Sequence, residues 1–392
     1  MTEPSLGPRP GAPQPFPDAG AAIRRSQEYS FSPFWFYDRC ESSGGEPAGE
    51  AFQVRSNDGA EREKAVIAFG PVPSRRLGRS LGINNIPPKI CTYACVYCQL
   101  GRTLKMQAER KFFYPPEEIF QAVQEKAEKA KRGGESIDYL TFVPDGEPTL
   151  DLNLGRAIDL LKKVDIPIAV ITNSSLIGQP DVRKDLMAAD WVSLKMDAID
   201  EKVWRRILRP HGKVKLASLI EGALEFSRAF QGQLATETML VEGINDSPPL
   251  LEEVADFVAR LKPSVAYLAV PTRPPAESWV RPPGEDVLNR AFQVFRKKID
   301  RVEYLIGYEG NAFSSTGNVE EDLLSITSVH PMREKAVSEF LARAGSDWSS
   351  VQRLISQGQL VEAEYGGHKF FLRKLRKPDG GKSLSSAGRP GG

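Results

Sequence analysis

Between residues 80 and 270, short runs of β-branched and apolar residues alternate with longer amphipathic segments. That alternation limits the fold more than any other feature. Strands are predicted at 80–85, 137–143, 167–172, 191–195, 234–240 and 265–270. Helices fill the gaps, for example at 154–164, 199–207, 216–230 and 249–261. One helix opens at Pro115-Pro116, runs through Ile119, Val123 and Ala127, and stops at Gly133-Gly134. Six β-α units in a row imply a parallel sheet, because each return must cross over as a helix. Right-handed crossovers curl such a sheet into an open barrel or leave it doubly wound, and the pattern does not choose. In both cases ligands gather at the carboxyl ends of the strands.

The flanks read differently. Residues 1–62 are rich in Pro, Gly, Ala and charge and are expected to be a largely disordered extension, apart from the aromatic run Phe31 to Tyr37. The barrel is expected at 63–310 and a linker at 311–326. Residues 327–375 read as helix, helix and hairpin, a small winged-helix-like domain, followed by a flexible tail at 376–392. The formal charge is +1, so no global field points to nucleic acid or membrane. No apolar run is long enough to span a bilayer and no secretory signal opens the chain, so a cytoplasmic location without membrane contact is expected.

Three of the four cysteines fall in the run Cys91-Thr92-Tyr93-Ala94-Cys95-Val96-Tyr97-Cys98, directly after the first predicted strand. Such clustering argues against a disulfide framework and for thiolate metal ligands. One short loop can wrap a cubane iron–sulfur cluster, and three thiolates would leave one iron open to bind something else. The alternative is a zinc knuckle completed by Cys40 or by one of the distant His211, His330 and His368.

The spacing Cys-x-x-x-Cys-x-x-Cys after the first strand of a β-α array resembles the radical SAM superfamily, and the resemblance covers roughly residues 68–310. It implies an α/β fold, an open partial (βα)6 barrel of parallel strands. It also implies one [4Fe–4S] cluster on Cys91, Cys95 and Cys98, whose open iron chelates S-adenosyl-L-methionine (SAM). Tyr97 occupies the family's aromatic position against adenine. Asp145-Gly146-Glu147-Pro148 resembles the family's Gly-Gly-Glu turn, so Gly146 and Glu147 are implied to hold the methionine ammonium. Asn173 falls where polar groups line the ribose, and Ser193 and Lys195 close the next strand. The resemblance further implies reductive cleavage of SAM to a 5′-deoxyadenosyl radical, driven by an electron donor such as flavodoxin or ferredoxin.

The substrate is less legible. Phe69-Gly-Pro-Val-Pro-Ser-Arg75-Arg76-Leu-Gly-Arg79 looks like the opening of a subgroup similar to tRNA wyosine-base synthases. Arg75, Arg76 and Arg273, together with Arg205, Arg206, Arg209, Lys213 and Lys215, could form a phosphate-binding surface. The opposing reading is that these cations are paired with carboxylates. The expected function is therefore a radical SAM enzyme acting on RNA, with two alternatives. One is modification of a protein or peptide; the other is a redox-sensing nucleic-acid-binding regulator that does no chemistry.

Overall fold

The computed structural model describes residues 66–307, 313, 315 and 317–374. Its main sheet has eight strands in the order β1-β2-β5-β6-β7-β8-β9-β10. They are β1 (Ala68–Ser74), β2 (Gly78–Ile83), β5 (Tyr139–Phe142), β6 (Ile168–Thr172), β7 (Trp191–Lys195), β8 (Gln233–Met239), β9 (Val265–Ala269) and β10 (Val302–Leu305). Two minor strands, β3 (Ile90–Cys91) and β4 (Lys105–Met106), pair with each other in the cysteine loop. Between the parallel strands run α1 (Pro116–Arg132), α2 (Leu154–Leu161), α3 (Pro180–Leu186), α4 (Glu201–Leu208), α5 (Leu216–Ala229), α6 (Pro248–Leu261) and α7 (Glu285–Arg296).

From β2 to β10 the spatial order of the strands follows the chain without reversal. A doubly wound sheet needs a switch point where that order turns back. Without one, right-handed crossovers put every helix on the same face, and the sheet curls into an open partial barrel. The packing agrees. Leu140, Phe142, Ile168, Val170, Val192, Leu194 and Leu268 share a core with Val123 of α1, Ile158 of α2, Phe226 of α5, Val258 of α6 and Phe295 of α7. Alternate residues Ala169, Trp191, Ala235, Val265, Tyr267 and Leu305 point to the other face, where they pack around Leu77.

Helix α1 shows how local sequence makes these elements. Pro116 opens it, Glu117 and Glu118 sit in the first turn, and Lys129, Lys131 and Arg132 sit in the last. These charges oppose the helix dipole at both ends. Its buried residues Ile119, Val123, Ala127 and Ala130 recur at helical spacing, so one stripe faces the sheet.

Two expectations need correction. An unpredicted strand, β1, precedes the first predicted strand, which is β2, and runs antiparallel to it at the sheet edge. Pro71 and Pro73 hide it in the sequence, but an edge strand tolerates missing donors. Phe69 lies over Gly82, where a Cβ would come within 2.0 Å of the ring. The second correction concerns 311–326, expected as a linker. Residues Val319–Val329 form helix α8, begun by Asn318, whose Oδ1 accepts from the Glu321 amide at 3.3 Å. Leu323, Ile326 and Val329 bury against Phe69 and Val72 of β1.

After α8 come β11 (Met332–Arg333), α9 (Glu334–Arg343), α10 (Ser349–Ser356), β12 (Leu360–Tyr365) and β13 (His368–Arg373). The strands form a sheet ordered β11-β13-β12, with Gly366 and Gly367 at φ +55° and +73° making the hairpin turn. Phe340, Leu354 and Phe371 share one core with α8 and β1. This unit therefore packs on the barrel hairpin rather than standing alone. Cys40, the aromatic run Phe31 to Tyr37 and the tail lie outside the described residues.

Candidate functional site

The cysteine loop leaves the carboxyl end of β2 and has little regular structure of its own, so its backbone must find partners elsewhere. It finds them on the neighbours. The Ala94 and Val96 amides donate to the carbonyls of Leu208 and Ile207, each at 3.0 Å. Those carbonyls lie in the last turn of α4, where intrahelical donors have run out. The Gln107 amide donates to the Cys91 carbonyl at 3.0 Å, and the Glu147 amide to the Ile90 carbonyl at 3.2 Å. Tyr93 is buried edge-on against Trp204, ring centroids 6.0 Å apart. The loop is rigidly seated although its sequence has no periodicity.

All three thiols are half-buried. Burial pushes the Cys91 thiol up to about 12, helped by the Glu147 carboxylate, and pushes Cys95 and Cys98 upward too. Thiolates here need a cation to exist, and iron supplies one. Among the described residues, no three His, Cys, Asp or Glu side chains converge closely enough to hold one metal ion. Of the described histidine rivals for a zinc knuckle, the His211 Nδ1 accepts from the Lys213 amide, His330 bonds Arg273, and His368 is exposed in β13. A cluster of several irons spreads its thiolates further apart than a single ion does. The donor set fits the [4Fe–4S] group.

The turn after β5 meets this loop directly. Gly146 bridges to Ile90, and a Cβ on it would lie 2.0 Å from the Ile90 carbonyl oxygen. The backbone one residue before Cys91 would have to move. Gly146→Ala is therefore expected to cost about 1–3 kcal/mol of stability. Thermal melts and iron content after reconstitution check this; a variant that melts and loads iron like its parent would refute the close-contact argument.

Glu147 is fully buried, and its carboxylate serves this chain. Oε1 accepts from the Thr149 amide at 3.0 Å, the Thr149 hydroxyl at 2.5 Å and the Thr172 hydroxyl at 2.6 Å; Oε2 accepts from the Asn173 amide at 2.8 Å. It ties the turn to the end of β6. Asn173 Nδ2 in turn donates to Thr92 Oγ1 at 2.8 Å and contacts Cys91 Sγ at 3.5 Å. Each of these hydrogen bonds ties the Glu147 carboxylate to this chain, so it braces the turn. Asp145 keeps an open acceptor instead. It pairs with Lys89 at 3.4 Å, but its buried Oδ2 has no hydrogen-bond partner, and burial raises its carboxyl to about 6. An orphaned acceptor beside this loop fits an ammonium group.

On the inner face of the sheet, Lys195 donates to Glu237 Oε1 at 2.6 Å, and Arg76 bonds the other carboxylate oxygen. The Lys195 ammonium also stands 5.0 Å from the centre of the Tyr97 ring. The Tyr97 hydroxyl bonds Asp197, which also accepts from the Met239 amide at 2.7 Å. Ser193 is buried one layer below Lys195, in register with Ile171 and Ala235. Glu237 escaped the sequence reading. Its signal was an acidic residue among the apolar inward positions Ala235 and Met239 of one strand.

The arginines expected at a substrate rim turn inward or pair. Arg76 reaches Glu237, and Arg75 adds its positive charge to the same carboxylate. Arg273 is buried against Gln99, just past Cys98, and against His330 of the C-terminal unit. Arg205 pairs with Glu201, Arg209 with Glu277 at 2.6 Å, and Lys213 with Glu109 at 3.3 Å. Arg206 and Lys215 bond backbone carbonyls. A buried arginine already bonded to its own chain offers little to a phosphate. Asp200, by contrast, caps α4 as its position suggests, accepting from the Val203 amide at 2.9 Å.

Asp151, beside the same turn, has a testable pH signature. Burial raises its carboxyl from 3.8 to about 6, against bonds from Asn153 and Asn85 that favour the anion. Folding thus favours the protonated form. The contribution is fully present below pH 3.8 and is lost as pH rises through about 6, roughly 3 kcal/mol at the upper limit. Asp151→Asn should flatten the fall in stability between pH 4 and 7. Chemical denaturation at both ends of that range checks this, and an unchanged slope would refute it.

Comparison with known proteins agrees with this geometry. The Radical SAM superfamily pattern matches residues 85–258. The UPF0026 protein MJ1312 of Methanocaldococcus jannaschii is 46% identical over 315 residues, covering 80% of this chain and 98% of that protein. A Brachyspira hyodysenteriae protein named GTPase Obg is 32% identical over 300 residues, 75% of this chain but 42% of that protein. A radical SAM methyltransferase from Sphaerobacter thermophilus superposes with a TM-score of 0.43 at 16% identity, over 58% of this chain and 66% of that one. So loose a superposition carries no argument about activity. The extent of the first match and the superfamily pattern over the cysteine loop together place the protein: it belongs to the UPF0026 proteins and is a radical SAM enzyme.

Proposed function

We propose that Cys91, Cys95 and Cys98 hold the [4Fe–4S] cluster and that Tyr97, Gly146, Glu147, Asn173, Ser193 and Lys195 shape the place of SAM beside it. Superfamily membership makes the chain a SAM-using iron–sulfur enzyme, which sets aside the regulator without chemistry. The observation that carries the residue assignment is the bridge between Ile90 and Gly146, which seats the cysteine loop against the Asp145-Gly146-Glu147 turn. When bound, the cluster supplies the electron that breaks a carbon–sulfur bond of SAM.

The chain's own residues do the positioning. Glu147 and Asn173 act through others: the first locks the turn to β6, the second braces Thr92 and Cys91. The orphaned Asp145 Oδ2 accepts from the methionine ammonium. Lys195, kept charged by Glu237, stands over Tyr97 between the loop and the barrel interior. In this proposal the barrel occupies 63–310 and a winged-helix-like unit 327–375, with α8 joined to the latter. Arg76 and Arg273 bond inward while Arg205, Arg206, Arg209, Lys213 and Lys215 stay exposed, so neither an RNA nor a peptide substrate is singled out, and the function proposed stops at reductive SAM cleavage directed into the barrel. Anaerobic reconstitution with iron, sulfide, dithionite and SAM tests it: 5′-deoxyadenosine is expected. A colourless protein that retains stoichiometric zinc and yields none would overturn it.

A further inference from the structure

The strip of chain from Arg102 to Phe112 combines exposed apolar side chains, surplus positive charge and a bonded link to the first cysteine. We propose that it docks an acidic, flavin-bearing one-electron carrier protein of the flavodoxin kind, which reduces the cluster through this face. The inference rests on the reading that Cys91, Cys95 and Cys98 hold that cluster.

The link comes first. Within β3–β4, Cys91 pairs with Met106, and the Gln107 amide bonds the Cys91 carbonyl at 3.0 Å. The Leu104 and Lys105 amides both donate to the Lys89 carbonyl at 3.1 Å. The exposed strip is therefore hydrogen-bonded, strand to strand, to the residue that carries the first thiol. Electron transfer weakens steeply with distance, and this strip lies one hydrogen-bonded strand from the residue of the first thiol.

The surface has the character of a contact face. Leu104 is 54% exposed and Phe112 is 73% exposed, the latter more than any other large apolar side chain among the described residues. Leu152, 40% exposed, joins Phe112 through the bond from its amide to the Lys111 carbonyl at 2.9 Å. Such side chains lose little by being covered and gain by leaving water.

Charge then selects the partner. Lys105 and Lys111 are exposed and have no carboxylate partner among the described residues. Arg102 shares Glu277 with Arg209, so two cations meet one anion beside Cys95. The acid within the strip, Glu109, is neutralised by Lys213. A positive ridge with apolar points matches a partner that presents a flat apolar flavin edge ringed by carboxylates. An RNA would satisfy the lysines but has no use for a bonded route to a thiol. In the step itself one electron leaves the carrier's reduced flavin, which is oxidised by one, and enters the cluster, which is reduced by one. No bond forms or breaks, and no proton moves in this chain.

The test compares the reconstituted holoenzyme with Lys105→Glu/Lys111→Glu and Leu104→Ser/Phe112→Ser double variants. Affinity for flavodoxin is measured anaerobically at low and high salt, and 5′-deoxyadenosine formation is driven by limiting reduced flavodoxin or by dithionite. Both variants should bind flavodoxin roughly tenfold or more weakly, with the charge variant's deficit shrinking at high salt. Flavodoxin-driven product should fall in step while dithionite-driven product stays at the parent level. Unchanged affinity overturns the proposal, and so does an equal fall with dithionite. Tighter, lysine-dependent binding of tRNA or of an acidic ferredoxin than of flavodoxin would assign the strip to that partner and also overturn it. If the parent protein cleaves no SAM with dithionite, the cluster reading has failed, while the affinities still decide the docking face.

Discussion

Replacing Cys95 with alanine is expected to abolish SAM cleavage while leaving the protein folded. The reason is a division of labour within the loop. Its backbone is held by the Ala94 and Val96 amides on the last turn of α4, and those bonds do not involve the Cys95 side chain. The thiol is half-buried beside Tyr93, Val96 and Tyr97, so losing one sulfur leaves a small gap. A stability loss of about 1–2 kcal/mol follows, within the ordinary range for point substitutions. The cluster, in contrast, loses one of its three protein ligands. Iron content should drop and 5′-deoxyadenosine should fall to the level of a sample without protein. Cys91 is a less clean choice, because it lies in β3 and receives a contact from Asn173. A Cys95→Ala protein that still makes product above background would remove Cys95 from the ligand set.

The second large effect is on stability, at Glu237. Burial alone would raise its carboxyl, yet Lys195 and Arg76 together hold it down at about 2. Removing it with Glu237→Ala leaves two cations inside the barrel without their shared partner. Breaking a buried pair from one side costs about 3–5 kcal/mol, because the remaining charge keeps its desolvation penalty. The pH dependence carries a sign that can be checked. A carboxyl depressed by folding stabilises above its ordinary value of 4.5 and loses that contribution as pH falls through about 2. The gap between parent and variant should be flat from pH 5 to 8 and narrow in strong acid. Adding Lys195→Met to the variant should recover part of the loss, and the double-mutant cycle isolates the coupling. A loss below about 1 kcal/mol would mean that water reaches these cations and the network braces nothing.

Much of the barrel could be read from the chain because its signals are short-range. The stretch 191–195 was a predicted strand and β7 has those bounds. Helix α1 begins and ends at the prolines and glycines that announce it. The cysteine spacing and the Gly-Glu-Pro turn were likewise local patterns. β1 was not legible, because prolines mask a strand whose partner alone makes it one. Helix α8 was not legible either: Leu323, Ile326 and Val329 have a face to bury only because β1 and β13 lie against them.

Roles proved harder to read than elements. Arg75, Arg76 and Arg273 carry the same charge whether they face solvent or a buried carboxylate, and nothing local distinguishes the two. Glu147 was visible as a functional position, but its bonds to Thr172 and Asn173 cross from one strand end to the next. Sequence by itself determined the periodicities, the loop that presents three thiols, and the end of the sheet where they stand. Tertiary structure alone decided which charges meet. Arg76, Lys195 and Glu237 are brought together from the hairpin, β7 and β8, and a contact over that separation is set by how the sheet curls. Residue spacing along the chain encodes a turn of helix or a pleat of strand; it does not encode the closure of a barrel.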